Sequence, residues 1–159
     1  MLNFTKQTKL IQVTGFTAST AGASTAWSDQ IDLANYAGVR FIASFRSTAA
    51  STGTATFAIY ATTTSTAAST SYSAISLATQ TVPKSTTASS KRYCSIDVSG
   101  KLMRYVKARC TRKAKIGLNC VIAELYGPRV LPVTHSSTTA ALATAATSNV
   151  LVVCQSTST

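Results

Sequence analysis

Large apolar side chains in this chain recur at every second position. Phe57, Ile59 and Ala61 share one face of an extended segment; Cys94, Ile96 and Val98 share another; Val106, Ala108 and Cys110 share a third. That period belongs to strands with one buried face, since a helix brings together positions three and four apart. Thr, Ser and Ala supply 73 of the 159 residues. β-Branched Thr favours the pleated backbone and short polar side chains favour turns, so strands with short connections are expected and helix is scarce.

The strands fall out in order. Ile11-Gln12-Val13-Thr14 alternates, and Ala26 to Leu33 runs into a turn at Ala34-Asn35-Tyr36-Ala37-Gly38. Val39 to Arg46 and Ala55 to Thr62, joined through the Gly-containing turn Ser51-Thr52-Gly53-Thr54, are expected to form a hairpin. Thr63 to Thr70 reads as a loop, followed by a short strand around Tyr72 to Leu77. Arg92 to Val98, Leu102 to Arg112 and Gly117 to Tyr126 complete the series, with Leu118, Cys120 and Ile122 on one face of the last. The fold class is all-β: an antiparallel β-sandwich of about eight or nine strands, with a jelly roll among the arrangements that fit.

The break at Gly127-Pro128 divides the chain into a sandwich over 1–127 and an extended C-terminal arm over 128–159. Within the arm, Thr139 to Thr147 has room for two helical turns. The β-branched run Asn149 to Cys154 reads as a strand pairing with the sandwich or with a neighbouring subunit. Ala swells the apolar fraction, so the core is thin in large side chains and association with other subunits is expected to add stability.

Charge is distributed very unevenly. Of the net charge of +11, nine units lie between Lys84 and Lys115, where ten Lys and Arg residues face Asp97 alone. On the strand Leu102 to Arg112, Tyr105, Lys107, Arg109 and Thr111 alternate with the apolar set, which spaces the cations about 7 Å apart. A slip of one residue would bury the charges, so the register is tightly set. Arg112, Lys113 and Lys115 follow at a turn, and the side chains of Arg109 and Arg112 are expected to point to solvent. The candidate binding set is Lys101, Arg104, Lys107, Arg109, Arg112, Lys113 and Lys115.

Three readings fit such a face. Docking onto an acidic protein surface is favoured, because alternating charge steers and orients a partner. A nucleic-acid backbone, with Tyr93 and Tyr105 stacking on bases, is the second. A solvated face is the third, although so much like charge in one stretch repels itself unless a partner offsets it.

The chemistry of catalysis is thinly represented. Asp29 and Asp32, three positions apart in an extended segment, do not share a face and read as turn and edge residues. His135 sits in the irregular tail with no Gly-x-Ser-x-Gly elbow in the chain, and reads as a loop histidine. Neither phosphate-binding glycine motif occurs. Cys94, Cys110, Cys120 and Cys154 lack the close spacing of zinc ligands; they read as buried thiols, with a disulfide as the alternative. No enzyme activity, metal or cofactor is expected. No apolar run reaches the roughly 20 residues of a membrane span, the N-terminus lacks a secretory apolar region, and the sequon Asn3-Phe4-Thr5 reads as chance.

The layout resembles small structural proteins of tailed-bacteriophage virions, the head decoration or cement proteins and related neck and tail components. The resemblance rests on Asp32-Leu33-Ala34-Asn35-Tyr36-Ala37-Gly38, on the Gly-centred Val39 to Tyr60 segment, and on Lys101-Leu102-Met103-Arg104-Tyr105-Val106-Lys107-Ala108-Arg109. It spans Ile11 to Tyr126. It implies a virion protein, assembled in the host cytoplasm, that forms a homotrimer and docks on the acidic surface of a major capsid protein. A neck or tail role, or an internal head protein bound to nucleic acid, is the alternative.

Overall fold

The computed structural model describes residues 7–14, 24–47, 54–65, 68–82, 91–99, 103–113 and 116–129. Nine strands are formed among them: β1 Thr8–Thr14, β2 Ser24–Trp27, β3 Ile31–Asp32, β4 Gly38–Ser47, β5 Ala55–Thr62, β6 Ser73–Val82, β7 Lys91–Ser99, β8 Tyr105–Arg112 and β9 Ile116–Tyr126. A single 3₁₀ turn, Ser69–Ser71, precedes β6.

The strands make two antiparallel sheets, with orders β1-β9-β4-β7 and β2-β8-β5-β6; the short β3 pairs with β8 beyond the end of β2. Four of the pairings, β1 with β9, β2 with β8, β4 with β7 and β5 with β6, describe one long antiparallel ribbon doubled back between β5 and β6. Winding that ribbon brings β4 beside β9 and β5 beside β8, and the result is a jelly roll. The all-β sandwich expected from the period-two pattern is the fold observed.

Alternation puts Val39, Phe41, Ala43 and Phe45 of β4 inside, facing Phe57, Ile59 and Ala61 of β5. Val106, Ala108 and Cys110 of β8 and Leu118, Val121, Ala123 and Leu125 of β9 complete the core. Each fully buried Phe, Ile or Leu contributes about 1.5–3 kcal/mol relative to exposure.

Three expectations are corrected. Val39–Arg46 and Ala55–Thr62 do not form a hairpin: β4 lies in the first sheet and β5 in the second, on opposite sides of the core. Both strands bury one face, and a sheet-crossing connection carries the same local signals as a hairpin. On β9, Leu118 does not share a face with Cys120 and Ile122. Opposite β4, the register steps from Leu118↔Phe45 to Cys120↔Ser44, a bulge that reverses the alternation and leaves Cys120 and Ile122 half-buried on the outer side. The third correction, Arg112, concerns the site below.

Cys94, Cys110 and Cys120 are free thiols. Burial pushes the thiols of Cys94 and Cys110 up to about 12, as fits small apolar space-fillers. Cys154, His135, the sequon, the C-terminal arm expected beyond Arg129, the strand expected at 149–154, Lys101 and Lys115 lie outside the described residues.

Candidate docking face

β8 runs through the second sheet with β2 and β3 on one side and β5 on the other. Its odd-numbered residues point away from the core, opposite Thr25 and Trp27 of β2 and Thr56, Ala58, Tyr60 and Thr62 of β5. Two of these neighbours, Trp27 and Tyr60, therefore place rings beside cations that the sequence separates from them by tens of residues.

Arg109 is the centre of this arrangement. Its guanidinium carbon lies 4.5 Å from the Tyr60 ring centroid and 5.6 Å from that of Trp27. The two rings meet edge to face at 4.9 Å, with 68° between their planes. Such a pair fixes the guanidinium without cancelling its charge, because a ring quadrupole attracts a cation but carries no net charge. Among the described residues no carboxylate stands within ion-pair distance of Arg109.

The flanking cations are held differently. Lys107 points to the outer side, but Tyr72 folds over it, with the ammonium 5.0 Å from the ring; both residues are buried. Arg104, just before β8, donates from Nε and Nη2 to the two oxygens of Asp32 at 2.9 and 2.8 Å, and lies over the Tyr105 ring. The Arg104 guanidinium holds the Asp32 carboxyl below its ordinary 3.8, and the Ala34 amide donates to the same carboxylate.

Arg112 overturns the expectation that its side chain meets solvent. Its even number gives it the parity of Val106, Ala108 and Cys110, and only 2% of it is exposed. Nη1 donates to the Ile116 carbonyl at 3.2 Å and Nη2 to Ser24 Oγ at 2.6 Å. Desolvation lowers its basicity. Arg112 thus ties β8 to β2 and β9 from inside, and it leaves the docking set. The alternation that found the inward face already contained this answer; the charge of the residue concealed it.

Of the remaining predicted residues, Lys113 is exposed at the end of β8. Tyr93, expected beside the basic strand, lies on β7 in the other sheet, while Trp27, Tyr60 and Tyr72 hold the positions next to the cations. Tyr60 was readable, since it alternates with Phe57, Ile59 and Ala61. Trp27 and Tyr72 carried no local sign of their place. Among the described residues no three His, Cys, Asp or Glu side chains gather to hold a metal ion, and no helix is long and apolar enough to cross a membrane.

No family model and no curated protein matches the chain. Similar solved structures include infectious bursal disease virus, Gx strain, at 10% identity and TM-score 0.45, covering 79% of this chain and 35% of that one. The tobacco streak virus coat protein is similar at 14% identity and TM-score 0.38, covering 84% and 94%. The K3 cleaved adhesin domain of Lys-gingipain from Porphyromonas gingivalis w83 is similar at 13% identity and TM-score 0.43, covering 68% and 71%.

Proposed function

We propose that this chain is a non-enzymatic structural protein of a virus particle, a decoration or cement protein that docks through the outer face of its second sheet onto an acidic surface of a capsid subunit. The observation that carries the reading is the Arg109 guanidinium held against both Trp27 and Tyr60, with no carboxylate within ion-pair distance among the described residues. Arg, Trp and Tyr are the residues that anchor protein interfaces, because their large rigid groups lose little freedom on docking. The exposed Lys113, and Lys107 from beneath Tyr72, widen the positive field that would orient an acidic partner, whereas Asp32 offsets the charge of Arg104. A jelly roll supplies a stiff platform for such a face, and the resemblance to virion proteins supplies the setting.

The test is addition of the purified chain to capsids assembled without it. Stoichiometric binding that weakens with salt, and that Arg109→Glu abolishes, is expected; no binding at low salt removes the reading. The same ring pair favours a second reading, single-stranded nucleic acid stacking on Trp27 and Tyr60 with its phosphates near Arg109. A gel shift with generic single-stranded DNA at about 50 and 200 mM salt separates the two, since phosphate binding falls steeply over that range.

A further inference from the structure

On the edge formed by β6 and β7, one side chain breaks both the burial rule and the backbone rule. Leu77 is 98% exposed and has φ of +66°, the left-handed region that Leu rarely adopts. It belongs to a bulge. The β5–β6 register jumps from Ala58↔Thr79 to Tyr60↔Ala74, so Ile75 to Ala78 bow out opposite Ile59. A strained backbone that displays an apolar side chain to solvent costs free energy twice, and such features persist where they are used.

The matching concavity is on the same edge. A groove of about 550 Å³ opens between β6 and β7, its walls including Gln80, Val82, Arg92, Tyr93, Cys94 and Ser95. Tyr93 at its rim is 80% exposed. A surface that carries both a knob and a groove on one edge complements itself about a two-fold axis, since each copy then offers its knob to the other's groove. Charge points to the same occupant. A chain of net charge +11 repels its own copies over most of its surface, but β6, Ser-Ala-Ile-Ser-Leu-Ala-Thr-Gln-Thr-Val, has no charged side chain in ten residues, and Arg92 of β7 is the one charged residue among those lining the groove. Natural edge strands usually carry charge that discourages pairing, and this one does not.

We infer that the β6–β7 edge is a two-fold contact between copies of this chain, in which Leu77 of each enters the groove beside Tyr93 of the other. Leu77 and Tyr93 stand outside the cluster of Arg109, Trp27 and Tyr60, so variants at the two places test the two readings separately.

Sedimentation equilibrium of the full chain over a wide concentration range tests it. The wild type is expected to associate as an even-numbered species, and Leu77→Gly, which suits the backbone and removes the knob, to weaken association by about thirtyfold or more. Leu77→Asn, also at ease at positive φ, is expected to do the same. Melting of both variants at high dilution should match or exceed that of the wild type, showing that the fold is intact. Tyr93→Ala should weaken association too, and its effect should not add to that of Leu77→Gly, because both remove one contact. Arg109→Glu should leave association unchanged. A monomeric wild type, a trimer, or association indifferent to Leu77→Gly and Leu77→Asn overturns the inference.

Discussion

Arg112 Nη2 donates a 2.6 Å hydrogen bond to Ser24 Oγ, joining β8 to β2 across 88 positions of sequence, with the arginine itself buried. Three residues earlier on the same strand, Arg109 lies on the outer side against two touching rings. The two arginines are the same residue type on one strand, and their opposite parity gives them opposite duties.

Charge reversal should separate them. Arg112→Glu replaces a buried donor with a carboxylate facing the Ile116 carbonyl and Ser24, and is expected to cost roughly 3–5 kcal/mol, the scale of an uncompensated buried charge. Arg109→Glu gives up only ring contacts and should stay within about 1 kcal/mol of the wild type. Urea denaturation midpoints of the two single variants check this; equal losses would place Arg109 in the core as well.

The Asp32–Arg104 pair gives a pH signature. The folded carboxyl titrates below its ordinary 3.8, so its stabilising contribution is complete above that value and disappears as pH falls through the lower folded value. The wild type should therefore exceed Asp32→Asn in stability at pH 6, with the gap closing as pH falls below 3.8 and through the lower folded value. The pair is exposed, so the gap should be small and should shrink in high salt. Urea midpoints of both proteins against pH would reveal it, and a gap that widens in acid would contradict the assignment.

Gly38 begins β4 between Ser99 of β7 and Tyr126 of β9. A methyl group there would collide with the Tyr126 hydroxyl and ring and with the Val98 carbonyl, the last of which is fixed backbone. Gly38→Ala should cost about 1–3 kcal/mol, the range for overpacking. Tyr126→Phe removes the hydroxyl and its hydrogen bond to Asp97. It should recover part of the loss in the double variant, as a melting-temperature cycle over the four proteins would show.

Cys110 should be chemically silent while the protein is folded. With its thiol pushed up to about 12 and its side chain buried, only about one molecule in ten thousand is thiolate at pH 8. Iodoacetamide at that pH should leave Cys110 unlabelled in buffer and label it fully in denaturant, as peptide mass spectrometry would read out. Rapid native labelling would mean that β8 is more open than its burial implies.

The strands were legible because burial on one face writes itself into alternate residues, and this is a local signal. Phe57, Ile59 and Ala61, or Val106, Ala108 and Cys110, needed no partner to declare their inward face. The same alternation held the place of Arg112, although charge argued the other way. Against that, β4 and β5 were paired by their nearness in sequence and belong to different sheets, because the ribbon that winds into a jelly roll is closed by contacts such as β1 with β9.

The chain by itself settled the all-β class, the inward faces of most strands and the crowding of cations on one of them, since each depends on neighbours along the backbone. Only the tertiary fold decided what those cations meet. It brought Trp27, Tyr60 and Tyr72 to Arg109 and Lys107, set Asp32 against Arg104, and sank Arg112 beside Ser24. Strand pairing across tens of residues is a property of how sheets close, and no local pattern records it.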